Sequence, residues 1–300
     1  MIELQLNLLR DKLRNEAFYH ALKKVIVPGK TTVADIGSGT GFLSFVAEKL
    51  GAKSCTLYEI DPEMLALSKK LAKENGIKRC CFVQAHSTQV KKPEQFDVVI
   101  SETLGNYSLE ENILETLQDA KRFLKPGGIM IPSRLEQFVA PITSPRLAKT
   151  IDIWDSIGYG LTFSGMKTAA LNNMYVEKIQ SEDIGDPSLA KRWDSIDFMG
   201  KEKSTRSASL SWAFQKKTTV HAFALWWKTD LVQGISISTS PFSPRTHWDQ
   251  IVLPLMKPIH VQSGETIELS LISDSRLSVG VRLQWQVKGA LSMDTKKGIG

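Results

Sequence analysis

Between Phe96 and Glu111 the chain passes from an apolar run, Phe96-Asp-Val-Val-Ile100, straight into a loop carrying Glu102, Glu110 and Glu111. Such a run fills a sheet, so the carboxylates emerge at a strand's carboxyl edge, where open α/β folds bind ligands. Gly105 and Asn106 permit a tight reversal that brings Glu111 back opposite Glu102. Two facing carboxylates make a cage for a planar cation, and a guanidinium, with its fork of donors, fits it best. The plainer alternative is an acidic loop entering a helix whose dipole favours Glu in its first turn.

A second group of residues points to a cofactor. Residues 31–36, Thr-Thr-Val-Ala-Asp-Ile, read as a buried strand that flows into Gly37-Ser-Gly39-Thr-Gly41 and an apolar helix from Phe42 to Leu50. Glycines there allow the turn and let a ligand approach the amides at the helix start. The spacing is tighter than the dinucleotide fingerprint. Asp35 at the strand end disfavours an anionic pyrophosphate but tolerates an ammonium or sulfonium, as in S-adenosylmethionine. Glu59 ends the next strand about twenty residues past the loop, where a ribose diol is normally held. His86 and Ser87 end a third strand and fall near the adenine in this layout.

These groups need elements to position them. Leu6, Leu9, Leu13, Phe18, Leu22 and Ile26 recur near a 3.6-residue period, which predicts one helix over 2–26 with Asp11 and Arg14 on or beside its polar flank. From 31 to 132 strand and helix signals alternate, which argues a mostly parallel sheet. Beyond Pro132 the apolar runs become short and often alternating, which predicts an all-β sandwich or barrel. The expected organisation is therefore α/β: an N-terminal helix and Rossmann-like domain at 1–132, then a barrel-like domain at 133–290. A partly helical insertion at about 148–186 carries Trp154, Tyr159, Phe163, Met166 and Tyr175, and residues 291–300 are expected to be disordered.

Composition narrows the class. At 300 residues, 42% hydrophobic and 23% charged, the chain has the make-up of an ordinary globular protein, and no apolar run could span a bilayer. The N-terminus lacks the regions of a secretion signal, and Cys55, Cys80 and Cys81 lack metal-ligand spacing. Free thiols, no metal and a cytoplasmic or nuclear setting follow as expectations. The net charge of +6 comes partly from dispersed lysines, without the basic strip that a nucleic-acid partner would want.

The glycine loop at 35–41, Glu59, the Ser101–Glu111 loop, Leu124-Lys-Pro-Gly-Gly128 and Pro241-Phe-Ser-Pro-Arg-Thr246-His247-Trp248 together resemble the protein arginine methyltransferase family, within the class I S-adenosylmethionine-dependent methyltransferases. Leu9-Arg-Asp11-Lys-Leu-Arg14 is similar to the family helix in which an Asp pairs with that His and an Arg holds the cofactor's carboxylate. The resemblance implies methyl transfer to arginine in proteins or peptides, with Glu102 and Glu111 holding the guanidinium. His247, oriented by Asp11, relays the lost proton or ties the helix to the β region. It further implies cofactor contacts from Arg14, Asp35, Gly37, Gly39, Gly41, Glu59, His86 and Ser87, and acceptor contacts from Tyr107, Thr246 and Trp248. The segment at 148–186 is similar to the family's dimerisation arm and implies a homodimer. Thr103 stands where the family commonly has Trp, and Asn112 replaces a small hydroxyl residue. Methylation of another acceptor (a small amine, a modified peptide or nucleic acid) and a non-catalytic scaffold are the rival readings.

Overall fold

Apolar strands separated by helices stack into a parallel sheet because each strand can be covered on both faces. The computed structural model describes residues 2–298. Strands β1 (Thr32–Ile36), β2 (Ser54–Glu59), β3 (Cys80–Gln84), β4 (Phe96–Ile100) and β5 (Leu124–Ile131) pair in parallel in the order β3-β2-β1-β4-β5. The order reverses between β1 and β4, so their carboxyl ends open a crevice. Asp35 pairs with Ile100 across that switch point, which sets the glycine loop beside the loop of Glu102. Val33, Ala34, Val98, Val99 and Ile100 are buried in the core.

Helices α1 (Ile2–Arg10), α2 (Lys12–Val25), α3 (Phe42–Lys49), α4 (Pro62–Glu74) and α5 (Ile113–Ala120) accompany the sheet. The single helix expected over 2–26 is corrected: Asp11 divides it. Its backbone is extended, at φ −73° and ψ 93°, and its side chain accepts the Arg14 amide at 3.0 Å as the N-cap of α2. A cap of this kind satisfies one free helix donor and stabilises by about 1 kcal/mol. The leucine period runs on through the break, so periodicity alone cannot see it.

The β region forms two antiparallel sheets from β6 (Arg134–Ile142), β7 (Tyr175–Glu177), β8 (Lys191–Asp197), β9 (Thr205–Ala213), β10 (Thr218–Val232), β11 (Ile235–Ser238), β12 (Gln250–Val261), β13 (Thr266–Asp274), β14 (Arg282–Val287) and β15 (Met293–Asp294). One sheet runs β7-β12-β10-β6-β8 with β11 beside β10, and the other β15-β14-β13-β9. The insertion carries the short helices α6 (Arg146–Ile151), α7 (Lys167–Leu171) and α8 (Ser181–Ile184). Lys167 bridges Asp152 at 2.8 Å and Asp155 at 3.1 Å, bracing the insertion while Tyr159 stands 95% exposed at its tip.

The disorder expected for 291–300 is also corrected. Met293 and Asp294 are buried in β15, and Asp294 accepts from Arg282 and Gln284 while its amide donates to Asn172 at 2.8 Å. The polar composition of the tail hides one apolar anchor and one half-buried ion pair, Arg282 with Asp294; residues 299–300 lie outside the described residues.

Candidate active site

A cavity of about 460 Å³ occupies the switch point, walled by the ends of β1, β2 and β4, roofed by α1 and closed at one side by His247 and Trp248. Gly37, Gly39 and Gly41 all adopt left-handed backbone, at φ of 70°, 53° and 83°. A Cβ on Gly41 would stand 2.6 Å from Ser68 Oγ and 2.7 Å from the Phe45 ring, so only glycine lets α4 close against the loop. Glu59 is clamped across the loop: its Oε2 accepts the Gly39 amide at 2.8 Å and its Oε1 the Asp61 amide at 2.9 Å. Each oxygen keeps a lone pair for a diol.

Asp35 is buried and accepts from Ser44 Oγ at 2.7 Å. Burial pushes its carboxyl up to about 7 against the Ser44 bonds, with the nearby Glu59 charge adding to the rise. A cationic ligand beside it would relieve that penalty. Ser38, on the cavity wall, has a buried hydroxyl without a partner among the described residues. A glycine-rich cradle, a clamped acid and a buried carboxyl wanting a cation together fit S-adenosylmethionine.

The carboxylate loop forms the opposite wall. Arg14 Nε donates to Glu102 Oε2 at 3.1 Å and its terminal nitrogen donates to the same oxygen, both side chains being almost fully buried. Arg14 therefore lines the cavity with Nε and one terminal nitrogen on Glu102 and the other donating to Asn15 Oδ1 at 2.9 Å. Glu111 stands exposed to the cavity, yet crowding by surrounding protein, then the charges of Glu102 and Glu110, push it up to about 7.

The β region fixes this loop through its backbone. Trp248 Nε1 donates to the Leu104 carbonyl at 2.6 Å, Trp227 Nε1 to the Gly105 carbonyl at 3.0 Å, and the Asp249 amide to Asn106 Oδ1 at 2.8 Å. The two indoles meet edge to face at 4.9 Å. Behind them, Asp11 Oδ2 accepts both the backbone amide and Nδ1 of His247, each at 2.8 Å. Burial pulls the Asp11 carboxyl upward, but the His247 ring and the Arg14 and His247 amides outweigh it and hold it below its ordinary value.

Of the residues singled out in the sequence, Arg14, Asp35, Gly37, Gly39, Glu59, Glu102, Glu111, His247 and Trp248 share the cavity wall. Gly41 and Asp11 stand behind it as supports. Four others lie off the wall. Tyr107 is a core residue whose hydroxyl donates to Ser273 Oγ at 2.7 Å, with burial pushing its pKa up. Thr246 faces a neighbouring cavity along 239–250. His86 binds Thr88 through Nδ1 at 2.7 Å, and Ser87 is buried beneath Arg122, which donates to its carbonyl. Sequence reasoning missed Gln5, Asn7 and Leu8, which line the roof from α1. Only the helix break at Asp11, which the leucine period conceals, marks α1 as a separate element.

Two family models match: an "Arginine methyltransferase oligomerization subdomain" over 134–290, more than half of the chain, and a "Methyltransferase domain" over 29–163. The chain belongs to the arginine methyltransferase family. It is an S-adenosylmethionine-dependent enzyme of the class I fold that methylates arginine in proteins. Among its relatives, this arginine methyltransferase is 28% identical to a probable protein arginine N-methyltransferase 6 of Arabidopsis thaliana, over 94% of this chain and 76% of that one. It is 29% identical to protein arginine N-methyltransferase 6 of Xenopus tropicalis, over 87% and 80%. In fold it matches the Trypanosoma brucei PRMT1 enzyme–prozyme heterotetrameric complex with a TM-score of 0.85 at 23% identity, over 97% of this chain and 96% of that chain. No helix among the described residues is long and apolar enough to cross a membrane.

Proposed function

We propose that Glu102 and Glu111 hold the target guanidinium of this arginine methyltransferase, that Asp35, Gly37, Gly39 and Glu59 hold its cofactor, and that Arg14 acts between the two. S-adenosylmethionine supplies the methyl group. Free guanidinium is a poor nucleophile, because its charge is delocalised and it stays protonated at neutral pH. Charge-assisted hydrogen bonds donated by the guanidinium to the two glutamates draw positive charge away from the attacking nitrogen and fix its line of approach. Arg14, held on Glu102 Oε2, keeps that carboxylate's orientation and leaves Oε1 for the acceptor. His247, doubly bonded to Asp11, ties the N-terminal helices to the β region, so the roof and wall of the cavity move together. The observation that carries this division is the meeting of both glutamates and the glycine loop in one cavity.

The test is incubation with radiolabelled methyl-S-adenosylmethionine and an arginine-rich peptide beside its lysine-substituted twin, followed by amino-acid analysis. Label in the arginine peptide alone, lost on Glu102→Gln and Glu111→Gln, supports the assignment. Label retained by either variant removes that glutamate from its role.

The assembly is proposed as a homodimer. The braced insertion exposes Tyr159, Leu161, Phe163 and Met166. The outer face of α2 and α3 carries an apolar groove of about 490 Å³ lined by Tyr19, Phe42, Phe45, Val46 and Leu50. The insertion of one copy seated in the groove of another would cover both apolar surfaces. Light scattering should give a dimer that Tyr159→Ser with Leu161→Asp dissolves; a monomeric wild type at micromolar concentration refutes it. The free thiols of Cys55, Cys80 and Cys81 support a reducing, cytoplasmic or nuclear setting.

A further inference from the structure

The cavity holds one carboxylate more than the guanidinium cage needs. Glu110 lines the wall beside Glu111, and its Oε2 accepts the Tyr107 amide at 3.3 Å, with the Asn106 amide as a second donor. Gly105 makes room for it: a Cβ there would stand 2.6 Å from Glu110 Oε2 and 2.7 Å from Glu110 Cβ. The side chain is thus clamped to its own loop. Among the described residues Glu102 is paired by Arg14, whereas neither Glu110 nor Glu111 has a cation.

We propose that Glu110 is a positioning residue for proton transfer: its carboxylate, fixed beside Glu111 and left without a cation, keeps Glu111 able to take the proton that the guanidinium gives up on methylation. This rests on the arginine-methylating site proposed above. In the step, a guanidinium nitrogen forms its bond to the methyl carbon as the carbon–sulfur bond breaks, and the bonding pair stays on sulfur. A proton on that nitrogen passes to a Glu111 oxygen, giving a methylguanidinium and a neutral carboxyl that later returns the proton to water.

A carboxylate at its ordinary pKa is too weak a base for this near neutral pH, and a like charge held nearby strengthens it. The charged groups sharing the cavity with Glu111 are Glu102 and Glu110 of its own loop, Arg14 of α2 bound to Glu102, and His247 backed by Asp11, with Asp35, Glu59 and Asp61 on the glycine-loop side. Glu110 adds to burial and to Glu102 in raising Glu111. Removing its charge should lower Glu111 toward the ordinary carboxylate range.

The test is the pH profile of kcat for an arginine peptide, with the lysine twin as control, in wild type and Glu110→Gln. Glutamine keeps an oxygen for the loop amides. The acid limb should move down by about half a pH unit, making the variant about threefold faster relative to its own plateau at the foot of the limb. The plateau itself should fall as Glu111 becomes a weaker base. Raising ionic strength should shift the wild-type limb down and the variant's less, a readout that does not depend on how well the variant folds. A uniform loss at every pH with an unmoved limb, or a wild-type limb indifferent to salt, overturns the proposal and leaves Glu110 as a loop clamp. No label in either peptide with wild type would instead remove the arginine reading beneath it.

Discussion

In the proposed site Glu102 would serve two guanidinium groups with one carboxylate. Its Oε2 is taken by Arg14 inside the protein, and Oε1, which accepts the Leu104 amide at 3.4 Å, keeps a lone pair for the proposed acceptor. Glu102→Gln therefore has two separable effects. Methyl transfer is lost, while cofactor affinity measured by calorimetry stays within severalfold; Glu59→Gln shows the reverse emphasis, because it weakens the clamp on Gly39 and Asp61. Equal loss of cofactor in both variants would defeat this division of roles. Arg14 is also left buried without its counter-ion, so Glu102→Gln should lower unfolding stability by about 3 kcal/mol in a denaturant titration. A variant as stable as wild type would mean that Arg14 finds another anion.

At the scale of the element, Asp11 joins helix geometry to the site. One of its oxygens caps α2 and the other holds His247, which separates the two roles by chemistry. Asp11→Asn should keep most of the cap yet weaken the tie to His247, whereas Asp11→Ala loses both and costs a further 1 kcal/mol or so in stability. Thermal melting beside methylation rate distinguishes them; equal melting temperatures would show that the cap contributes nothing. Elements with apolar periodicity were legible in the sequence, including the parallel sheet, the run of short strands beyond Pro132 and the glycine turn, because periodicity and glycine carry their own signal. The break at Asp11 was not, since Leu9 and Leu13 keep helical phase across it. Strand β8 also escaped: Lys-Arg-Trp-Asp-Ser-Ile-Asp hides two inward residues, Trp193 and Ile196, among charges that other strands satisfy. For the site, residue type located the carboxylates, but Tyr107 shows that an aromatic on a functional loop can face the core. Only the packing against β13 decides which way it points.

For the whole molecule, the two carboxyls raised furthest add a pH-dependent contribution to stability. Asp35 and Glu111 both stand at about 7 in the folded state, against 3.8 and 4.5 ordinarily. Between about pH 4 and 7 the folded protein keeps protons that the unfolded chain has released, so this contribution favours folding at low pH and is lost as pH rises through 7. A bound sulfonium should offset the loss. The melting temperature gained with S-adenosylmethionine over that gained with uncharged-sulfur S-adenosylhomocysteine should be larger at pH 8 than at pH 5; an equal gain at both would place the sulfonium away from these carboxyls.

The indoles of Trp227 and Trp248 grip the carboxylate loop by its carbonyls at Leu104 and Gly105, and so hold a path rather than a set of side chains. Asn112, left-handed at φ 56°, sits comfortably where a hydroxyl residue is more usual, and Thr103 fills the space against Gly37. A loop held in this way is free to drift at its side chains without losing its course. Substitution around the two glutamates can then change what the loop presents to the cavity while its course stays where the indoles hold it.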